Sequence, residues 1–344
     1  MLRALLLFVL LGGLAVPSLA TAQGSLLSYR LKPAVQKGQG YPQVFLDCHA
    51  DFRKVDLICD RDGTEVTMSA GATKDGKTLT FDLKQPEGEH RYTCEARGWY
   101  GAGDEEYFDL HMKFDAFLGG ALHIEIPRDL IEKDAQMLVA KADRVVTRAH
   151  VKVIGPDGPS WEGDVEIDEN EPGDDLSIEW QGTREVLRMD VTVFDRWGFF
   201  AYEELYPWSL EIPHDDVLFD TGSHEIGADE QPKVDKAYKD VAGVVGTYGK
   251  YVEVRLFIAG YTDTVGDRAS NQGLSERRAR SIAQAFRSKG FTGKIYYQGF
   301  GEDALKIATE DSVDELMNRR ALYLLASRQP PAGPSFPRGS WKPL

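Results

Sequence analysis

Apolar residues follow two rhythms along this chain. From about residue 41 to 213 they come in short runs alternating with polar positions: Val44 to Leu46, Val55 to Cys59, Leu79 to Leu83 and Arg91 to Ala96. Gly, Pro and Asp divide the runs. Short segments of this kind, separated by turn residues, predict strands. Ile212-Pro213-His214-Asp215 reads as a linker, and after it the rhythm lengthens. A strand is expected over Asp216 to Asp220, then a helix from Ala228 to Val245 with Val234, Tyr238, Val241 and Val245 on one face. Val252 to Ile258 reads as a strand and Asp267 to Lys289 as a helix closed by Gly290. Strands over Ile295 to Gly299 and Arg320 to Leu325, with a short helix near Asp311–Met317, complete a βαβαββ order. Strands alternating with helices imply an α/β layer.

The first rhythm contains a repeat. Phe45-Leu46-Asp47-Cys48-His49-Ala50-Asp51 answers to Met137-Leu138-Val139-Ala140-Lys141-Ala142-Asp143, Asp62-Gly63 to Asp157-Gly158, and Trp99 to Trp197. Each Trp precedes an aromatic and acidic run, Glu105-Glu106-Tyr107-Phe108 and Tyr202-Glu203-Glu204-Leu205. A period of roughly 95 residues fits two tandem immunoglobulin-like sandwiches. Residues 41–120 and 121–213 are the two modules, followed by an α/β domain over 214–327. A membrane barrel would need longer strands with an apolar lipid face. Charges such as Arg53-Lys54, Asp104-Glu105-Glu106 and those between Asp164 and Glu171 argue against one.

Composition narrows the partners. The chain has 344 residues, 42% apolar and 28% charged, which is ordinary for a globular protein. A formal charge of −15 argues against nucleic acid and against anionic membrane surfaces. Residues 1–22 read as a secretory signal: Arg3, an apolar core from Ala4 to Val16, and Ala20-Thr21-Ala22 as cleavage site. The mature chain is expected to begin near Gln23, with 23–40 a poorly ordered leader and no transmembrane segment. Residues 328–344, with five prolines from Gln329 onward, are expected to be extended and mobile. Export permits disulfides. Three cysteines leave at least one unpaired, and the second repeat has none. If a bridge forms, Cys48–Cys94 is the expected pair, since Tyr92 precedes Cys94 by two, as in the tyrosine corner of immunoglobulin-like strands. No nucleophile elbow, P-loop, zinc helix or metal-ligand spacing occurs, so neither an enzyme nor a cofactor is expected.

Candidate chemistry gathers in residues 258–280. Asp263 stands just past a strand end, and Arg278 lies within the following helix. In that helix Asn271, Ser275 and Arg278 share one stripe, while Ala279, Ile282 and Phe286 form an opposite stripe facing the sheet. A loop carboxylate and a helix-borne guanidinium could grip a zwitterion, the acid taking an ammonium and the planar fork a carboxylate. Gly260-Tyr261-Thr262-Asp263, Gly266 and Asn271-Gln272-Gly273-Leu274-Ser275-Glu276-Arg277-Arg278-Ala279 closely resemble the OmpA-like peptidoglycan-binding domain. Val217 to Ser223, Gln298 to Glu302 and Asn318-Arg319-Arg320 extend the resemblance over roughly 216–327.

The resemblance implies that Asp263 and Arg278 hold the diaminopimelate of a wall peptide. Thr262 and Asn271 would be neighbouring contacts, and Thr221 and Gly222 a pocket-lining loop. It implies residence in a Gram-negative periplasm, in association with the cell wall or outer membrane. Tyr261 replaces a usual His, and Ala321-Leu322-Tyr323 a usual Val-Glu-Ile; neither touches the charged anchors. The resulting expectation is a non-catalytic peptidoglycan-binding protein whose β-modules meet another envelope protein. The alternative is an accessory in which the β-modules recognise glycan and the last domain only localises them.

Overall fold

The computed structural model describes residues 26–100, 106–220 and 222–344. The expected signal segment and Thr221 lie outside them. Two compact units emerge. One holds residues up to His123 with Ala142–Thr147 and Phe194–Ala201; the other holds Ile124–Lys141, Arg148–Val193 and Tyr202–Leu344.

The first β-module runs β1 (Leu27–Lys32), β2 (Ala34–Gln36), β3 (Gln43–Cys48), β4 (Lys54–Arg61), β5 (Thr64–Ala70), β6 (Thr78–Asp82), β7 (Gly88–Trp99) and β8 (Tyr107–Gly119). They form a three-stranded sheet, β1-β3-β6, and a five-stranded sheet, β2-β8-β7-β4-β5. The period-two pattern works as expected: Val44, Leu46 and Cys48 of β3 and Tyr92, Cys94 and Ala96 of β7 are buried, and both sets belong to one apolar core. The stretch 23–40, expected to be poorly ordered, carries β1 and β2 instead. Leu27 is fully buried and Val35 nearly so, and their apolar contacts offset the ordering cost that a polar leader would not recover.

The cysteine pairing also departs from expectation. Cys59 and Cys94 stand opposite one another in the antiparallel pair β4–β7 and form the disulfide. Cys48 is buried on the other sheet, and its thiol is free. Directly opposed strand positions bring Cβ atoms within bonding reach, which spacing along the chain does not reveal. The Tyr92 hydroxyl donates to the Gln85 side chain at 3.2 Å rather than to a backbone carbonyl.

The second β-module runs β9 (Ile124–Glu125), β10 (Ile131–Glu132), β11 (Met137–Ala142), β12 (Val146–Gly155), β13 (Gly158–Glu166), β14 (Leu176–Glu179), β15 (Arg188–Asp195) and β16 (Phe200–Leu205). Its sheet order β13-β12-β15-β16 reproduces β5-β4-β7-β8, and β11 lies between β10 and β14 as β3 lies between β1 and β6. The two segments that resemble each other at the start of the repeat fall on β3 and β11. Gly63, in the β4–β5 turn, and Gly158, the first residue of β13 directly after the β12–β13 turn, have φ of 84° and 112°. That region is open mainly to glycine, so the Asp-Gly pairs mark equivalent turns.

The last domain comprises β17 (Ser209–Glu211), α1 (Gln231–Tyr248), β18 (Arg255–Gly260), α2 (Arg268–Ser288), β19 (Ile295–Gly299), β20 (Ala321–Ala326) and β21 (Lys342–Pro343). The sheet order is β17-β20-β18-β19-β21, with only β18 and β19 parallel. The βαβαββ succession stands, but its first strand is β17, within the residues assigned to the preceding module. Asp216–Asp220 joins no ladder. The Glu230 carboxylate accepts from Leu218 N–H, and Lys233 Nζ donates to Asp216 O, so side chains of the α1 entrance hold this segment. A short 3-10 turn over Leu316–Asn318 stands where the third helix was expected.

Helix α2 begins as its sequence indicates: Asp267 accepts from Ser270 N–H at 2.9 Å as N-cap, and Gly290, at φ 101°, follows the end. It sits close on the strand ends, because a Cβ at Gly260 or Gly299 would run into the Ser275–Glu276 backbone. One face of the sheet packs Leu256, Ile258, Tyr323 and Leu325 against Ile282 and Phe286. The other packs Phe257 and Leu324 against Phe336 and Trp341 of the C-terminal segment.

That segment is docked, contrary to the expectation of a mobile tail. β21 pairs with β19, the Leu344 N–H donates to Ile295 O, and Tyr261 donates to Ser335 O. Two aromatic side chains among the prolines supply apolar surface, and the prolines lower the entropy lost on docking. Among the described residues no helix is long and apolar enough to cross a membrane.

Candidate functional site

The site is built where β18 ends and α2 begins. Gly260 leads into Tyr261, Thr262 and Asp263, all buried. This loop is stitched to the one after β19: Phe300 N–H donates to Gly260 O and Thr262 N–H to Gly301 O, each at 2.9 Å. Ser275 on α2 accepts from Gly301 N–H at 2.9 Å, and Gln272 donates to Gly299 O at 2.6 Å. A third loop closes the arrangement. The Thr264 hydroxyl donates to Glu310 O and accepts from Val313 N–H, while Asn318 accepts from the N–H groups of Lys306 and Ile307.

Asp263 and Arg278 line one concave cavity of about 540 Å³. Thr262, Gly222, Asn271 and Phe219 line it too. The structure therefore brings together every described residue of the expected set. Thr221 lies outside the described residues. The two charged groups form no pair with each other among the described contacts. Arg278 donates through Nε to Ser223 O at 3.0 Å and through Nη2 to Asp220 O at 3.3 Å, and its guanidinium lies 5.1 Å from the Phe219 ring centre. Burial, and then the nearby Arg319 charge, lower its pKa from the ordinary arginine value. Among the described residues no carboxylate lies within ion-pair distance of Arg278, and Asp263 acts on it only through space, so the cavity presents a buried cation without a direct counter-ion.

Asp263 is held by a partner that sequence reasoning did not assign. Arg319 Nη1 donates to its Oδ2 at 2.5 Å and also pairs with Asp314. Asp314 and then Asp263 hold the Arg319 pKa above its ordinary value. The other oxygen of Asp263 has a long contact, 3.3 Å, from Val265 N–H. Asn271 is less free than expected: its amide nitrogen donates to Glu302 at 2.7 Å and to Asp263 O at 3.3 Å, so it ties two loops together. Thr262 is 2% exposed, and its hydroxyl has no partner. The stripes on α2 are not opposite in effect. Asn271, Ser275, Arg278, Ala279, Ile282 and Phe286 are all buried, forming one wide inward face whose N-terminal part is polar. Arg319 could have been found from the adjacent pair Arg319-Arg320 at the entrance to an apolar strand, where two charges cannot both reach solvent easily.

The site is concave and lies on strand-end loops of an α/β domain, with an acid on one loop and a base on the next helix, and among the described residues no His, Cys, Asp and Glu cluster could hold a metal ion. Residues 218–319 match the model of the OmpA family, so the C-terminal third is an OmpA-like domain. Outer membrane protein A of Escherichia fergusonii is 35% identical over 108 residues, covering 31% of this chain and 42% of that protein. Its counterpart in Escherichia coli O157:H7 is also 35% identical over 108 residues, 29% of its length. The chain thus spans less than half of these curated relatives. Among solved structures, the peptidoglycan-associated lipoprotein from Burkholderia pseudomallei aligns at 18% identity and a TM-score of 0.25, covering 34% of this chain and 88% of that one. The cell wall anchor of the T6SS from Pseudomonas aeruginosa aligns at 18% identity and 0.26, covering 41% and 82%.

Proposed function

We propose that this protein is a non-catalytic periplasmic binder of peptidoglycan, gripping the diaminopimelate of the stem peptide with Asp263 and Arg278. The observation that carries the reading is their placement: both line one cavity, each is tethered by other groups, and neither neutralises the other. The free end of diaminopimelate carries an ammonium and a carboxylate on one carbon, which suits an acid and a base that line one cavity without pairing. Thr262 supplies a hydroxyl without a partner, and Gly222 and Phe219 shape the wall. Two charge-assisted contacts at about 1.5–3 kcal/mol each correspond to roughly millimolar binding or somewhat tighter. Retention on a wall then comes from many identical sites on one polymer.

The β-modules, in this reading, are immunoglobulin-like spacers that present a surface to another envelope protein. The test is co-sedimentation with purified sacculi. Asp263→Ala with Arg278→Ala removes both grips and leaves the protein in the supernatant, whereas a folded double variant that still pellets overturns the reading.

A further inference from the structure

The C-terminal segment lines no part of the cavity that holds Asp263 and Arg278, yet it touches both elements that carry them. Tyr261 stands two residues before Asp263. Its ring packs on Phe300, 5.6 Å away centre to centre, and on the Arg320 guanidinium at 4.0 Å. Its hydroxyl donates to Ser335 O in the segment. Glu276 stands two residues before Arg278 on α2, and Lys342 Nζ meets its carboxylate at 2.6 Å. Between these two points Trp341 packs on Phe300, which belongs to the loop whose Gly301 O accepts from Thr262 N–H. The segment has a shape of its own: Gly333 and Phe336 exchange backbone hydrogen bonds in a turn, and β21 fastens the end to β19.

Covering an apolar sheet face needs only the aromatic contacts. The two polar attachments do something more, because they tie the acid's loop and the base's helix to one short piece of chain. Groups that must meet one small ligand bind it best when their separation is set beforehand, since less ordering is left to the binding step. We infer that residues 329–344 are a strap that positions the two anchors. Tyr261 and Lys342 are its fastening points, and the docked strap raises affinity for the diamino-acid head group without touching it. Tyr261 is 1% exposed and carries the greater share; the Lys342–Glu276 pair is partly exposed and weaker. The inference rests on the reading of the cavity as a diamino-acid site. It also gives the tyrosine at position 261 a purpose, since its hydroxyl is what reaches the strap. By linkage, a strap that strengthens ligand binding is itself held more firmly when ligand is bound, by the same factor.

The experiment uses the full chain and free meso-diaminopimelate. Trypsin release of residues 339–344, after the exposed Arg338, is followed by mass spectrometry with and without saturating ligand, and affinity is measured by NMR titration. In the wild type, ligand is expected to slow release about fivefold, the low end of coupling between two sites. Tyr261→Phe combined with Lys342→Gln keeps the aromatic packing and removes both fastenings. That variant is expected to bind about fivefold more weakly, and ligand no longer slows its release, which also shows that the ligand does not inhibit trypsin. A segment that only covers the sheet would instead lower the melting temperature and leave the affinity of the folded protein unchanged. Release from ligand-saturated wild type at the unliganded rate, or wild-type affinity in the double variant, overturns the strap and leaves the diamino-acid site standing. The wild-type comparison decides alone if the double variant does not fold. Failure of the wild type to bind meso-diaminopimelate overturns both readings.

Discussion

Trp341→Ala measures how much of the last domain depends on its C-terminal segment. The Trp341 ring lies 5.2 Å from Phe257, 5.9 Å from Phe300 and 6.0 Å from Phe336, centre to centre. It belongs to the packing that covers the sheet face opposite the helices. Fully burying a large apolar side chain is worth about 1.5–3 kcal/mol, and Trp341 is only half-buried, so the lower figure applies. Two edge-to-face contacts with Phe257 and Phe300 add about 0.5 kcal/mol each or more. The expected loss is about 2.5 kcal/mol, which lowers the melting temperature of a domain this size by roughly 7–12 °C. The assay is thermal unfolding followed by near-ultraviolet circular dichroism, with limited proteolysis of the tail alongside. Wild type and Trp341→Ala melting together, with the segment 329–344 cut equally fast in both, would refute the argument that these contacts stabilise the domain.

Two further outcomes follow from the same kind of reasoning. The Cys59–Cys94 bridge spans 35 residues, so replacing both cysteines with alanine should lower stability by about 3–4 kcal/mol on the chain-entropy account, read as a shift in the urea midpoint. Cys48→Ala should leave the effect of reductant intact, and loss of that effect would show that the pairing is wrong. Gly260→Ala should destabilise the last domain by about 1–3 kcal/mol, because the added methyl pushes α2 off the end of β18; a midpoint unchanged in denaturant would count against the close approach.

Local chemistry made α2 easy to read. Asp267 as cap, Gly290 as terminator and an inward face of Ala279, Ile282 and Phe286 are encoded within one helix length. The positions of Asp263 and Arg278 in one cavity also followed, since one strand–loop–helix unit carries both. What escaped was set by distant partners. Arg319 meets Asp263 across 56 residues of sequence, and no periodicity joins them. The disulfide depends on which strand lies beside β7, and that is decided by sheet order, not by the spacing of cysteines. The tail looked structureless because its prolines dominate its composition, yet Phe336 and Trp341 find an apolar sheet face that the helices leave bare. Val217-Leu218-Phe219 looked like a strand as a short apolar run resembling the family's first strand; Glu230 and Lys233 occupy backbone groups that a ladder would have used.

The charge arrangement explains why the site stays open. Asp263 and Arg278 are both nearly buried, and oppositely charged groups in such a place attract strongly. Left to themselves they would collapse into a pair and fill the cavity. Each is restrained by something else. Arg319 draws the Asp263 carboxylate one way and is itself anchored to Asp314, while the carbonyls of Asp220 and Ser223 and the face of Phe219 hold Arg278 another way. The loop carrying Asp314 is pinned through Thr264 and Asn318, so the restraint reaches back into the rigid part of the domain. Carbonyl dipoles satisfy a guanidinium without cancelling its charge, and Arg278 therefore keeps its attraction for an anion. Asp263 is different, because Arg319 already answers its charge. On the proposed reading, an incoming ammonium shares that carboxylate, using the oxygen that Val265 contacts only weakly. The same reading makes binding strength at the acid end depend on how readily Arg319 leans toward Asp314, a residue more than fifty positions along the chain from the carboxylate that Arg319 pairs with.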